Sequence, residues 1–77
     1  MKILELSEKL KKDGIPEDAY NLEGGFPDEA YCISESYNIW EVYYSERGNK
    51  TGLKIFNSES EACEYFLKNI SEVFKLK

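Results

Sequence analysis

Ile39-Trp40-Glu41-Val42-Tyr43-Tyr44-Ser45 is a run of β-branched and aromatic residues with a period of two. Trp40, Val42 and Tyr44 fall on one face of a strand, and Glu41, Tyr43 and Ser45 on the other. A strand patterned in this way places one face against a core and leaves the other open, so Tyr43 is expected to point outward. Working outward, the same composition begins at Ala30 and continues to Phe56, cut by Ser36 to Asn38 and by the polar run Ser45 to Gly52. Three strands joined by two hairpins fit this stretch. Tyr31, Ile33, Leu53 and Ile55 are expected on the buried side, and Cys32 and Lys54 outward.

Downstream, Ser58-Glu59-Ser60-Glu61 has the spacing of a capping box, with Ser58 as the cap and Glu61 three residues on. Ala62, Cys63, Phe66, Leu67, Ile70, Val73 and Phe74 then recur at spacings of three and four, an apolar stripe that belongs against the sheet and makes Cys63 a core residue. Upstream, residues 2 to 13 carry Ile3, Leu6 and Leu10 at helical spacing, with Lys9, Lys11 and Lys12 at the end that favours cations. Gly14 suits the left-handed position after the last turn, where a Schellman motif would pack Ile15 back on Leu10, and Pro16 prevents continuation. Residues 15 to 27 hold both prolines and Gly24-Gly25. They read as an irregular connection with one short turn at Pro16 to Ala19, pinned by Tyr20, Leu22 and Phe26. The expected fold is α+β: one domain over residues 1–77, ordered helix, three-stranded antiparallel sheet, helix, with both helices on one sheet face.

Composition narrows the function. The 77 residues include no histidine, which removes the usual general base near neutral pH, the Ser-His and Cys-His pairs and the commonest nitrogen ligand of metals. Two cysteines, Cys32 and Cys63, are too few for a disulfide framework or a zinc site and are expected as reduced thiols. No stretch has the dense oxygen ligands of a calcium loop. Carboxylate pairs at no diagnostic spacing, in a chain with little room for a cleft, do not suggest glycoside cleavage. The expectation is a protein without enzymatic activity, cofactor or metal. Acids at the amino-terminal end where a signal peptide needs apolar residues, and no run near the roughly 20 apolar residues of a membrane span, point to a cytoplasmic protein.

A net charge of −5 has the wrong sign for binding phosphates and favours a basic partner. The element order resembles that of the double-stranded-RNA-binding domain, but that family offers lysines where this chain has Ser58, Glu59, Ser60 and Glu61, so no direct contact with nucleic acid is expected. Acids gather at Glu17-Asp18, Glu23, Asp28-Glu29 and from Glu59 to Glu64. At Glu59 and Glu61 the helix dipole accounts for them; at Asp28, Glu29 and Glu41 a binding role is equally open. The polar run Ser45 to Gly52 exceeds what a tight hairpin needs. It is either a recognition loop or a solvated hairpin in which Glu46 pairs weakly with Arg47 or Lys50.

Tyr20-Asn21-Leu22-Glu23-Gly24-Gly25-Phe26-Pro27, Tyr31-Cys32, Trp40-Glu41-Val42-Tyr43-Tyr44-Ser45-Glu46-Arg47-Gly48 and Glu61-Ala62-Cys63 together resemble the small bacterial immunity proteins of polymorphic toxin and contact-dependent inhibition systems. The resemblance runs from about residue 14 to 70. The turn at Ser36 to Asn38 departs from the pattern in lacking a glycine. What the resemblance implies is a cytosolic antidote that binds and occludes the carboxy-terminal toxin domain of its own system, a basic nuclease being the expected toxin. It carries over no binding residue. The residues expected at such an interface come from the strand and loop reading: Glu41, Tyr43, Glu46 and Arg47, with Asp28 and Glu29 beside them. The antidote is expected as a monomer or weak homodimer. Two other functions remain open, an acidic mimic of nucleic acid and a structural module that self-associates through the face around Tyr43.

Overall fold

The first helix stops where Gly14 and Ile15 require it to. In the computed structural model, which describes residues 1–25 and 27–74, α1 spans Ile3–Lys12 and Gly14 takes φ +76°. The Gly14 N–H donates to Lys11 O and the Ile15 N–H to Leu10 O, both at 3.1 Å, the two bonds of a Schellman motif. Leu10 and Ile15 are buried in the same cluster. A single 3₁₀ turn at Glu17–Ala19 follows Pro16.

The second helix, α2 (Glu59–Phe74), begins at the expected cap. Ser58 Oγ accepts the Glu61 N–H at 3.1 Å, and its hydroxyl donates to Glu61 Oε1 at 3.2 Å, so the Glu61 carboxylate turns back on the capping hydroxyl itself. Glu59 ties the helices together: its Oε2 accepts the Ile3 N–H at 2.8 Å, satisfying a donor that the start of α1 leaves without a helical partner. Leu6, Leu10, Ile15, Ala62, Cys63, Phe66 and Ile70 form one buried cluster with Ile33 and Val42 of the sheet.

The α+β class stands, but the sheet has four strands and is mixed: β1 (Tyr20–Asn21), β2 (Ala30–Ser36), β3 (Ile39–Glu46) and β4 (Asn49–Phe56), in that spatial order. β1 pairs parallel to β2 and lies within the stretch expected to be irregular. Two residues between a 3₁₀ turn and two glycines give no periodicity to read. The other pairs are antiparallel. The polar run Ser45 to Gly52 is not an open loop. β3 and β4 continue through it to a two-residue turn at Arg47 and Gly48, both with positive φ. Tyr37 and Asn38 make the other turn with positive φ and no glycine.

Tyr31, Ile33, Val42 and Tyr44 share the helix side of the sheet by register, and Cys32, Tyr43 and Ser45 the far side. Yet Tyr43, Cys32 and Ser45 are all buried, Tyr43 at 2% exposure, against the expectation that Tyr43 and Cys32 point outward. Gly24 and Gly25 lie over this face at Ser34 and Tyr43. Gly24, at φ +82°, lies so close that a Cβ would sit 2.6 Å from the Ser34 Cβ, and the Tyr43 hydroxyl donates to Gly25 O at 2.8 Å. Conversely, Leu53 and Ile55, expected in the core, are exposed at 42% and 58%.

The cause is one residue. From the Arg47-Gly48 turn the hairpin pairs Glu46 with Asn49, Ser45 with Lys50 and Tyr44 with Thr51; then the register slips between Val42 and Tyr44, and Val42 faces Lys54. Gly52, at φ +65°, supplies the bulge. Past it every β4 side chain changes face. Leu53 and Ile55 leave the helix side, and Phe56 arrives there opposite Trp40 and packs on Tyr65, ring centroids 5.1 Å apart. The expectation for Phe26 lies outside the described residues.

Candidate functional site

Asp28 and Glu29 precede β2, Glu46 ends β3 and Arg47 follows it in the turn. Because Ala30 pairs with Ser45, the antiparallel ladder brings these two segments, about seventeen positions apart, to the same end of the sheet. All four residues are exposed. Glu29 and Arg47 hold φ of +53° and +51°, a backbone region that non-glycine residues enter only at some cost. The remaining two candidates lie elsewhere. Tyr43 is buried beneath the Gly24-Gly25 segment. Glu41, on that same far face, accepts a hydrogen bond from Lys50 Nζ at 3.0 Å, and Lys50 stands over the Tyr43 ring, 4.7 Å from its centroid. The bond to Glu41 raises the Lys50 pKa. Glu41 and Tyr43 are thus engaged within the fold, by Lys50 and by Gly25.

Beside the acidic end, on the helix side, is a half-open groove of about 350 Å³ lined by Tyr31, Val42, Tyr44, Thr51, Tyr65 and Asn69. Tyr31 and Tyr44 face each other across β2 and β3, with centroids 4.7 Å apart and planes inclined at 59°, a tilted geometry that aromatic pairs favour. Burial raises the Tyr44 pKa, and the nearby Glu29, Glu46 and Asp28 carboxylates raise it further. By register Glu46 lies on the same side of β3 as Tyr44, so acid and aromatic surface are continuous there.

Alternation places Tyr31 and Tyr44 on the core face and so gives no sign of this groove. The available signal is chemical: Tyr31 and Tyr44 are hydroxyl-bearing rings, which favour a boundary with water over a dry core. Also unanticipated are Tyr37, 97% exposed in a left-handed turn position, and the exposed Leu53 and Ile55.

Both thiols are buried and free, and burial raises both pKa values, that of Cys63 to about 11. Neither has the lowered pKa of a nucleophilic cysteine. Among the described residues no group of three or more Cys, Asp or Glu side chains is arranged to hold a metal ion, and no helix is long and apolar enough to cross a membrane. Compared with protein-family models, with curated proteins and with solved structures, the chain shows no significant match to any of them.

Proposed function

We propose that this chain is an immunity protein, a binder without chemistry of its own that neutralises the toxin domain of its own system by covering it. The supporting observation is the Ala30–Ser45 pairing, which draws Asp28, Glu29, Glu46 and Arg47 into one exposed, mainly acidic end. With a net charge of −5, that end would attract a basic domain such as a nuclease and raise the rate of encounter. A stable complex needs about 800 Å² from each partner, and the sheet end with the adjoining groove offers a contiguous surface toward that area.

The test is calorimetric titration of the full chain with the toxin domain of its own system, at low and moderate salt. Nanomolar binding that weakens about tenfold or more as salt rises, and again on Glu46→Lys, is expected. Comparable binding to several unrelated basic proteins would instead identify a nucleic-acid mimic. Self-association has lost the Tyr43 surface, which the chain's own Gly24-Gly25 segment covers, but Leu53 and Ile55 leave apolar surface on the same far face. Light scattering that finds a dimer, with no binding to the toxin domain, would favour that function over the antidote.

A further inference from the structure

The tyrosine groove has a chemistry more specific than the acidic end that adjoins it. Tyr31, Tyr44 and Tyr65 present aromatic surface around a volume of about 350 Å³, with Asn69 at its edge. Ring faces attract cations. The continuation of the same strands supplies carboxylates, Glu46 two residues beyond Tyr44 and Glu29 two before Tyr31, brought together by the Tyr31–Tyr44 and Ala30–Ser45 pairs. Aromatic faces next to carboxylates disfavour an acidic group and leave a purely aliphatic one indifferent to the charge. They suit a flat cation that stacks on a ring and donates to a carboxylate through its edge, which is the geometry of a guanidinium.

We propose that the groove between α2 and strands β2, β3 and β4 receives an arginine side chain of the protein bound at the acidic end, its guanidinium against the tyrosine rings and its N–H edge toward Glu29 and Glu46. The inference rests on the antidote function for the identity of the partner, but the recognition chemistry belongs to the groove alone and is separately testable. Arginine is the occupant, not lysine, because an ammonium is a compact, strongly hydrated charge with no face to stack.

The probe is acetyl-Gly-Arg-Gly-amide, titrated into the isotope-labelled full chain and followed by NMR, with the citrulline and lysine peptides as the neutral isostere and the alternative cation. Saturable shifts centred on Tyr31, Tyr44, Thr51, Tyr65 and Asn69 are expected. The citrulline and lysine peptides should bind more weakly, citrulline by about tenfold. The double variant Glu29→Gln with Glu46→Gln, both at exposed positions, should weaken the arginine peptide by about the same factor while the amide spectrum stays folded. Shifts centred elsewhere, equal binding of citrulline, or an unchanged double variant overturn the proposal.

Thr51→Arg, which places the chain's own guanidinium at the groove, provides the second arm. It should weaken the complex with the toxin domain at least about tenfold. An unchanged toxin affinity overturns the groove as the arginine site and leaves the antidote function standing. Binding of the arginine peptide in the groove with no binding of the toxin domain upholds the groove and overturns the antidote.

Discussion

Gly24 and Gly25 are adjacent, have φ of +82° and +87°, and answer to different constraints. A Cβ on Gly25 meets nothing within 4 Å, whereas one on Gly24 meets the Ser34 Cβ at 2.6 Å. Gly25→Ala therefore carries only the left-handed backbone cost, about 1 kcal/mol, while Gly24→Ala adds a steric collision between two backbone-anchored atoms and should lose about 3 kcal/mol. Urea midpoints of the two variants measure the difference; equal losses would mean that the segment does not press on the sheet. Cys63 makes a second residue-scale prediction. Its thiol, buried in the folded protein, has a pKa raised from 9.0 to about 11, so the neutral form is favoured by folding. That contribution is fully present below pH 9 and declines as pH rises from about 9 to about 11, because the unfolded chain ionises first. Over this window the urea midpoint should fall, with the Cys63 thiol accounting for up to about 3 kcal/mol, and Cys63→Ala should make the decline shallower, the part that persists including Cys32, whose pKa burial also raises.

At the scale of elements, Gly52 decides which side chains of β4 enter the core. Without the bulge the hairpin would pair Leu53 with Val42 and Ile55 with Trp40, the arrangement that alternation alone suggests. The bulge also guards the edge: β4 is the outer strand, and a kink with Lys50 and Lys54 on it discourages pairing with another chain. Gly52→Val, which disfavours the left-handed φ of the bulge without shortening the strand, should remove the slip, carry Leu53 and Ile55 to the helix side and move Phe56 off Tyr65. Loss of the Phe56–Tyr65 cross-peaks, with new ones from Leu53 to α2, is the expected NMR result; a retained Phe56–Tyr65 contact would show that the helix, not Gly52, sets the register. The same feature marks the limit of what the sequence discloses. Gly14, Ser58 and the apolar stripes carry their own boundary chemistry, so both helices are legible to within a residue or two. The strand faces are legible in β2 and β3, where alternation is unbroken. Beyond Gly52 parity is lost, because a glycine that bulges and one that merely sits in a strand look alike. The burial of Tyr43 is hidden for another reason: the cover comes from a segment with no secondary structure of its own over most of its length. Of the candidate site, Asp28, Glu29, Glu46 and Arg47 converge because strand pairing joins them, whereas Glu41 and Tyr43 are claimed by Lys50 and Gly25.

For the whole molecule, charge should make folding and partner binding respond to salt in opposite directions. The chain measures 32 × 28 × 17 Å, comparable to the Debye length of about 30 Å at 0.01 M and well above the roughly 10 Å at 0.1 M. At low salt nearly every charge therefore feels every other, and a net charge of −5 opposes compaction. The ion pairs found among the described residues, Lys9–Asp13 at 3.9 Å and Lys50–Glu41 at 3.0 Å, do little to offset this, since exposed pairs contribute at most about 1 kcal/mol each and commonly less. Raising potassium chloride from about 10 to about 300 mM should accordingly stabilise the free protein, by up to about 1 kcal/mol in urea titrations. The same change should weaken a complex with a basic domain, because there the screened interaction is attraction between the two proteins. Measuring both on one preparation separates charge from apolar contact. If salt stabilises the fold and loosens the complex, long-range charge governs both. If salt strengthens the complex, the interface is governed by apolar surface such as Leu53 and Ile55, and the acidic end is not where the partner binds.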